Sequence, residues 1–403
     1  MAADPLGASS SSTSSKSCSP QPHPTSQSPS PSPSPSPSPY QYTPPATSPF
    51  YNAFLSPLCT HICETFVPLW VHPDTISWLG LLCAALSALL TCCGPERWLY
   101  GLMGLLWMTY SVFDNMDGKQ ARRSGKSSRG GEFLDHAVDS VVVALSTFVW
   151  RHTLAFSQPQ RWQSFLVLFA AQVPIFLGNW GHHVLGRILL GPVVEGTDYY
   201  TVDEFNFLYM PGICFVRGFL PFIWELRLPL PPRPLLSWLV AHEMLPLSEG
   251  QPSLTMGYFF VILMLLFCLV SAVRVLRALL ALGGARHVHL LLPLVGYGTM
   301  VLYCGFSPLR MVWVFALMCC EVIADRLGIH KNYMWPWWPI AVGGLLSFAV
   351  PQSSPLCSTQ VALPGVSVSV SVCDAIDLTM LGIMVAVMAL YRELVNRHKK
   401  AKQ

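Results

Sequence analysis

Charge is what this sequence has least of. Asp, Glu, Lys and Arg together make up 11% of its 403 residues, against about 25% in an ordinary soluble domain. Such a chain cannot cover a water-facing surface, which excludes a soluble globular enzyme. Net charge is also scarce: a formal +3 is too small to attract a nucleic-acid partner. The cysteines lack a framework. Most of the thirteen sit inside apolar runs such as Cys92-Cys93, Cys268 and Cys319-Cys320, where Cys acts as a small hydrophobe, so a disulfide-rich secreted module is excluded. Cys59 and Cys63 in CTHIC have the spacing of a redox or metal pair, but no matching Cys/His pair follows at zinc spacing. What remains is apolar: 52% hydrophobic residues and a mean hydropathy of +0.44 describe a multi-span membrane protein.

Residues 1–49 are Ser/Pro-rich, with an SPSPSPSPSP run from Ser28. They cannot bury enough apolar area to offset their ordering entropy and are expected to be disordered; they also lack the apolar core of a signal peptide. Residues 54–72, interrupted by Pro57 and Pro68, suit a short helix lying in the membrane interface. Ten apolar segments follow, near 75–93, 97–113, 136–157, 161–181, 206–224, 256–280, 287–305, 308–328, 336–351 and 376–392, most near the ~20 residues a bilayer requires. The expected fold is an all-α polytopic membrane protein with about ten transmembrane helices. The VSVSVSV alternation within the 352–375 connection is strand-like, but with no partner strand in view it is expected to be a loop. Ten spans put all the lysines on one side, Lys119, Lys126, Lys331 and Lys399 among them. By the positive-inside rule that side, with both termini and the basic tail of 396–403, is cytosolic.

The second and third segments meet at DNMDGKQARRSGKSSRGGEFLDHAVDS, residues 114–140. Asp114 and Asp117 are three apart, and Asp135 and Asp139 four apart, so each pair shares a helix face. A short Gly/Ser-rich link makes the two helices an antiparallel pair, which lets the carboxylates face each other at the cytosolic edge. Four such groups repel unless divalent cations join them, and all-oxygen ligands suit Mg²⁺ or Mn²⁺. The bland alternative is a solvated network with Arg122, Arg123, Lys126 and Arg129. Helical register in the acids, and none in the scattered bases, favours the metal. Flanking Arg and Lys suit a diphosphate held across such ions, and Gly118, Gly125, Gly130 and Gly131 permit close approach.

Asp117-Gly118, Ala121-Arg122, Gly131, Asp135 and Asp139 fit D-G-x2-A-R-x8-G-x3-D-x3-D without a gap. By this motif the chain resembles the CDP-alcohol phosphotransferases. Asp114, the run DGKQARR and His136 resemble the eukaryotic choline/ethanolamine phosphotransferase branch, as do PLWVHPDTISWLGLL (68–82), Trp180–His183 and GPVVEG (191–196). The resemblance covers roughly 50–395. Pro73-Asp74 departs from the branch's Pro-Asn, and Gly181-His182 from its acidic pair; GPVVEG is one residue longer than the related stretch.

The resemblance implies transfer of phosphocholine or phosphoethanolamine from a CDP-aminoalcohol to diacylglycerol, with release of CMP. It implies two Mg²⁺ or Mn²⁺ ions on Asp114, Asp117, Asp135 and Asp139, and a CDP moiety at Gly118, Arg122 and Gly131. His136 would be the general base, with Asp139 as the alternative. It further implies the endoplasmic reticulum or Golgi membrane, a cytosol-facing active site and no nucleic-acid partner; a homodimer is left open, as is the choice between choline and ethanolamine. Rival readings are an inositol or glycerol-phosphate acceptor, an intramembrane prenyltransferase, and a transporter. The prenyltransferase pattern needs a further aspartate where this chain has Ala121, and a transporter expects charges spread through several spans.

Overall fold

The computed structural model describes residues 48–94, 96–153, 161–185, 193–194, 197–198, 201–234, 236–237, 247–248, 251–252, 255–281, 291–304, 307–329, 336–351, 354–362 and 369–400. The Ser/Pro tail up to residue 47, most of GPVVEG, Lys331 and residues 401–403 lie outside the described residues. Among those described, eleven helices have ten residues or more: α1 (Ser56–Phe66), α2 (Pro73–Leu90), α3 (Arg97–Arg123), α4 (Arg129–Thr153), α5 (Arg161–Leu185), α6 (Met210–Phe219), α7 (Met256–Ala281), α8 (Leu292–Cys304), α9 (Pro308–Arg326), α10 (Trp337–Ala349) and α11 (Val372–Lys400). Helices α2 to α11 overlie the ten apolar segments. Three of them, α2, α4 and α11 as far as Arg397, are long and apolar enough to cross a bilayer, which makes the chain an integral membrane protein.

Helix α4 is the hub, packing against α2, α5, α9 and α11. Its Phe133, Ala137, Val141 and Ala144 are buried, a stripe at three- and four-residue intervals that helical geometry turns inward. Trp107, Trp150 and Trp313 are buried almost completely. Where α6 crosses α3, a Cβ on Gly218 would lie 2.7 Å from the Arg97 carbonyl oxygen, so this crossing requires glycine.

Three boundaries differ from expectation. Ser48 is fully buried: its hydroxyl donates to Glu204 and accepts from the Tyr51 backbone N–H at 3.0 Å, so ordered chain starts before residue 50. The fifth segment is helical from Val202 through a π-turn at Phe205–Tyr209 to Phe219. It breaks at Leu220, because Pro221 disfavours helical geometry in the residue before it, and resumes as one short turn over Pro221–Trp224. Third, α11 runs on to Lys400, so the boundary expected at 396 falls inside a helix.

The loop expected at VSVSVSV is in part a strand. Ser369–Ser371 pairs antiparallel with Gln360–Ala362, Val361 opposite Val370. The partner is only three residues long, too short to register in sequence, and a two-stranded pair this small is marginal by itself. A Cys357–Cys373 disulfide closes it at the N-terminal turn of α11. A few residues further on, Asp377 of α11 accepts from Arg310 Nε (3.1 Å), Trp313 Nε1 (3.0 Å) and Ser307 Oγ (2.5 Å), while Arg310 also donates to Ser347 (2.8 Å). Arg310 and Asp377 are 2% and 0% exposed. Every partner a buried ion pair needs is supplied here from α9, α10 and α11.

Candidate active site

The site begins with how α3 ends. Gly125, at φ +68°, takes a conformation that costs glycine nothing. The N–H groups of Gly125 and Lys126 return to the carbonyls of Arg122 and Ala121, closing a Schellman motif. Three residues later Ser128 caps α4 by accepting the Gly131 N–H at 3.0 Å. Only residues 124–128 separate the helices, so most of the expected Gly118–Leu134 link is helical. Both carboxylate pairs therefore keep helical register up to the turn.

Asp114, Asp135 and Asp139 converge, offering carboxylate oxygens all within 4.8 Å of one another, each residue half-buried. Tyr110 donates to Asp139 Oδ1 at 3.1 Å. Asp117 stands outside that trio, almost buried, and accepts from Ser77 at 2.5 Å. Among the described residues none of the four forms an ion pair with Lys or Arg. Three of the nearby bases are engaged elsewhere. Arg123 donates to the Cys63 and Val67 carbonyls, Lys126 to the Trp70 carbonyl at 3.0 Å, and Lys119 to Ser56 Oγ at 2.7 Å. They fasten α1 and the segment after it to the end of α3. Cys59 and Cys63 are buried in the same junction as free thiols, and burial pushes the Cys59 thiol up to about 11. Arg123 and Lys126 are thus spent on α1 and the segment after it, not on the carboxylates. An all-oxygen set of three converging carboxylates fits a hard divalent cation.

A cavity of about 290 Å³ opens beside the trio, lined by Asp117, Gly118, Arg122, Gly131 and Asp135, with Asp74 on its wall. That is close to the lower size of small-molecule sites, ~300 Å³. Asp135 belongs to both the trio and the cavity. A Cβ on Gly118 would approach Arg122 Nη1 to 3.4 Å, and one on Gly131 would approach Ser128 Oγ to 3.3 Å. Small residues there keep the wall open.

His136 is buried next to Asp135 on α4, its ring 5.5 Å from that of His182 on α5, and its neighbour Glu132 also lines the cavity. Glu132, His136 and His182 present ligand atoms within 4.8 Å of one another. This grouping resembles a metal site, but its place is taken by a cation of the chain itself: Arg326 Nη1 lies 2.5 Å from Glu132 Oε1 and 3.1 Å from His182 Nε2. A guanidinium there neutralises Glu132 and occupies the space a cation would take. Sequence reasoning singled out His136 but missed Glu132, His182 and Arg326. The i, i+4 spacing of Glu132 and His136 was a usable signal; Arg326 has none.

Comparison with known proteins follows the same residues. Residues 70–184 match the family model of CDP-alcohol phosphatidyltransferases. The chain is 36% identical over 155 residues to choline/ethanolaminephosphotransferase 2 of Arabidopsis thaliana, covering 37% of this chain and 36% of that protein. It is 32% identical over 164 residues to choline/ethanolaminephosphotransferase 1 of the same plant (39% and 41% covered). It is 30% identical over 176 residues to cholinephosphotransferase 1 of Xenopus laevis (42% of each). The chain spans about two fifths of the length of these relatives. The matched segment holds both carboxylate pairs, the cavity glycines and His136. By motif, cavity and similarity together, residues 70–184 belong to the CDP-alcohol phosphatidyltransferase family.

Proposed function

We propose that this chain transfers phosphocholine or phosphoethanolamine from CDP-choline or CDP-ethanolamine to diacylglycerol, giving phosphatidylcholine or phosphatidylethanolamine and CMP. The observation that carries this reading is the trio Asp114, Asp135 and Asp139 beside a cavity whose walls are Gly118, Arg122 and Gly131. Asp114, Asp117, Asp135 and Asp139 would hold two Mg²⁺ or Mn²⁺ ions. Such ions, when bound, neutralise a diphosphate and stabilise charge growing on the leaving phosphate.

The rest falls to the chain's own side chains. Arg122 holds outer phosphate oxygens, and Gly118 and Gly131 leave room for the nucleotide backbone. Tyr110 and Ser77 orient Asp139 and Asp117 by their hydrogen bonds. The acceptor hydroxyl oxygen bonds to the phosphorus that bears the aminoalcohol, and the bond from that phosphorus to the bridging oxygen of CMP breaks. The hydroxyl proton passes to the imidazole of His136, with Glu132 and His182 beside it. Asp139 is a poorer base once it serves as a ligand.

Sidedness is part of the proposal. Cys373 and Arg392 lie nineteen residues apart on α11, about 29 Å along a helix, close to the ~30 Å hydrocarbon core. The disulfide end suits an oxidising lumen, so the carboxylate end and both termini would face the cytosol, as in an endoplasmic reticulum enzyme. The test is CMP release from each CDP-aminoalcohol by purified protein with diacylglycerol and Mn²⁺. No release from either substrate would sink the reading.

A further inference from the structure

The wall of the cavity contains a residue of the wrong sign for a diphosphate. Asp74, in the first turn of α2, lines the cavity with Arg122 and Asp135. A Cβ on Gly131 would lie 3.9 Å from its Oδ1. The His72 ring caps α2, with Nδ1 accepting the Asp74 backbone N–H at 3.3 Å and lying 3.3 Å from Asp74 Oδ1. The counter-charge comes from the far end of the chain. Arg392 Nε on α11 donates to Asp74 Oδ2 across 318 residues of sequence. One turn on, Asn396 Oδ1 accepts the Gly130 N–H at 2.9 Å, next to the Gly131 wall. Asp74 is 9% exposed, so its charge is poorly screened and its partner matters.

We propose that Arg392 is a positioning residue for the CDP-alcohol: by pairing with Asp74 it neutralises a bare carboxylate on the wall of the diphosphate cavity. This rests on the proposed function, since the ligand is the nucleotide diphosphate of that reading. It accounts for how a cavity with Asp at 74 can still accept an anion, and it gives α11, outside the matched segment, a part in substrate binding.

The test is calorimetric binding of CDP-choline with Mg²⁺ to the full chain in detergent, alongside KM and kcat. Arg392→Ala should weaken binding about tenfold or more, because an unpaired buried charge now faces the anion, and should raise KM while leaving kcat within about twofold. Asp74→Asn in the Arg392→Ala background should restore affinity to within about twofold. A structural clamp would not be rescued this way, since the double variant breaks the same contact. A double variant that binds as weakly as Arg392→Ala, or fails to fold, overturns the inference. Arg392→Gln, which keeps a hydrogen-bond donor without the charge, should also bind weakly; affinity like that of the parent would equally overturn it. Failure of the parent chain itself to bind CDP-choline would instead reject the proposed function.

Discussion

Two clusters of buried charge lie within this helix bundle, and they are built in opposite ways. Around Asp377 every acceptor has its donor: Arg310, Trp313 and Ser307 converge on one carboxylate. Around Asp114, Asp135 and Asp139 like charges converge, and Arg123 and Lys126 spend their donors on the carbonyls of residues 63–70. Burial makes charge costly in both places. The first cluster is complete within the protein, and under the proposed function the second is completed by bound cations. A satisfied buried ion pair reads as architecture; an unsatisfied group of like charges reads as a site.

Substitutions can break or sharpen this contrast. The largest expected effect is at the carboxylates: Asp117→Ala, Asp135→Ala and Asp139→Ala should each abolish CMP release while the melting temperature holds. Near-parental turnover at saturating Mg²⁺ in any one would remove it from the ligand set. Next, His136→Ala should lower kcat by about 10²–10⁴-fold, the usual contribution of a positioned base, while calorimetric CDP-alcohol affinity persists. Asp139→Asn with intact metal binding but no turnover would move the base to Asp139.

At the other cluster the signs reverse. Asp377→Ala should cost about 3–5 kcal/mol of stability by leaving Arg310 buried alone, read as a lowered melting temperature, with turnover per folded molecule retained. Replacing Arg310 and Asp377 together by Leu should recover much of that loss. The smallest effect belongs to the Ser/Pro tail. Removing residues 1–47 should change kcat less than about tenfold, which is 1.4 kcal/mol in barrier. Removing Ser48 as well should lower the melting temperature, because Glu204 loses its buried donor.

The carboxylates were legible because helical spacing is a local property: residues three and four apart share a face whatever the rest of the chain does. So were the ten helical segments, since apolar runs announce themselves by length. The hairpin of Gln360–Ala362 with Ser369–Ser371 was not, because each strand is three residues long and its closure depends on Cys357 meeting Cys373. Nor could periodicity find Arg326 or Arg392. Their partners are separated from them by long stretches of chain, 318 residues for Arg392 and Asp74, and such encounters are decided by packing of whole helices. Glu132 lay between: its offset of four from His136 was visible, but one carboxylate in a row of them carries no label until Arg326 is seen beside it.

Helix α11 is held near its start by Asp377 and meets the cavity rim through Arg392. Between those two points it has no proline or glycine other than Gly382, so it behaves as a shaft with a fixed phase. Arg392 follows Asp377 by fifteen residues, about four turns. Inserting a single alanine between them would advance the rim by only ~1.5 Å but rotate it by ~100°, swinging the guanidinium off Asp74 with no change in composition. Four inserted residues would come close to restoring the angle while lengthening the shaft by ~6 Å. Under the proposed function, the cavity is thus tuned by rotational register set about 22 Å away along α11, as well as by the residues that line it.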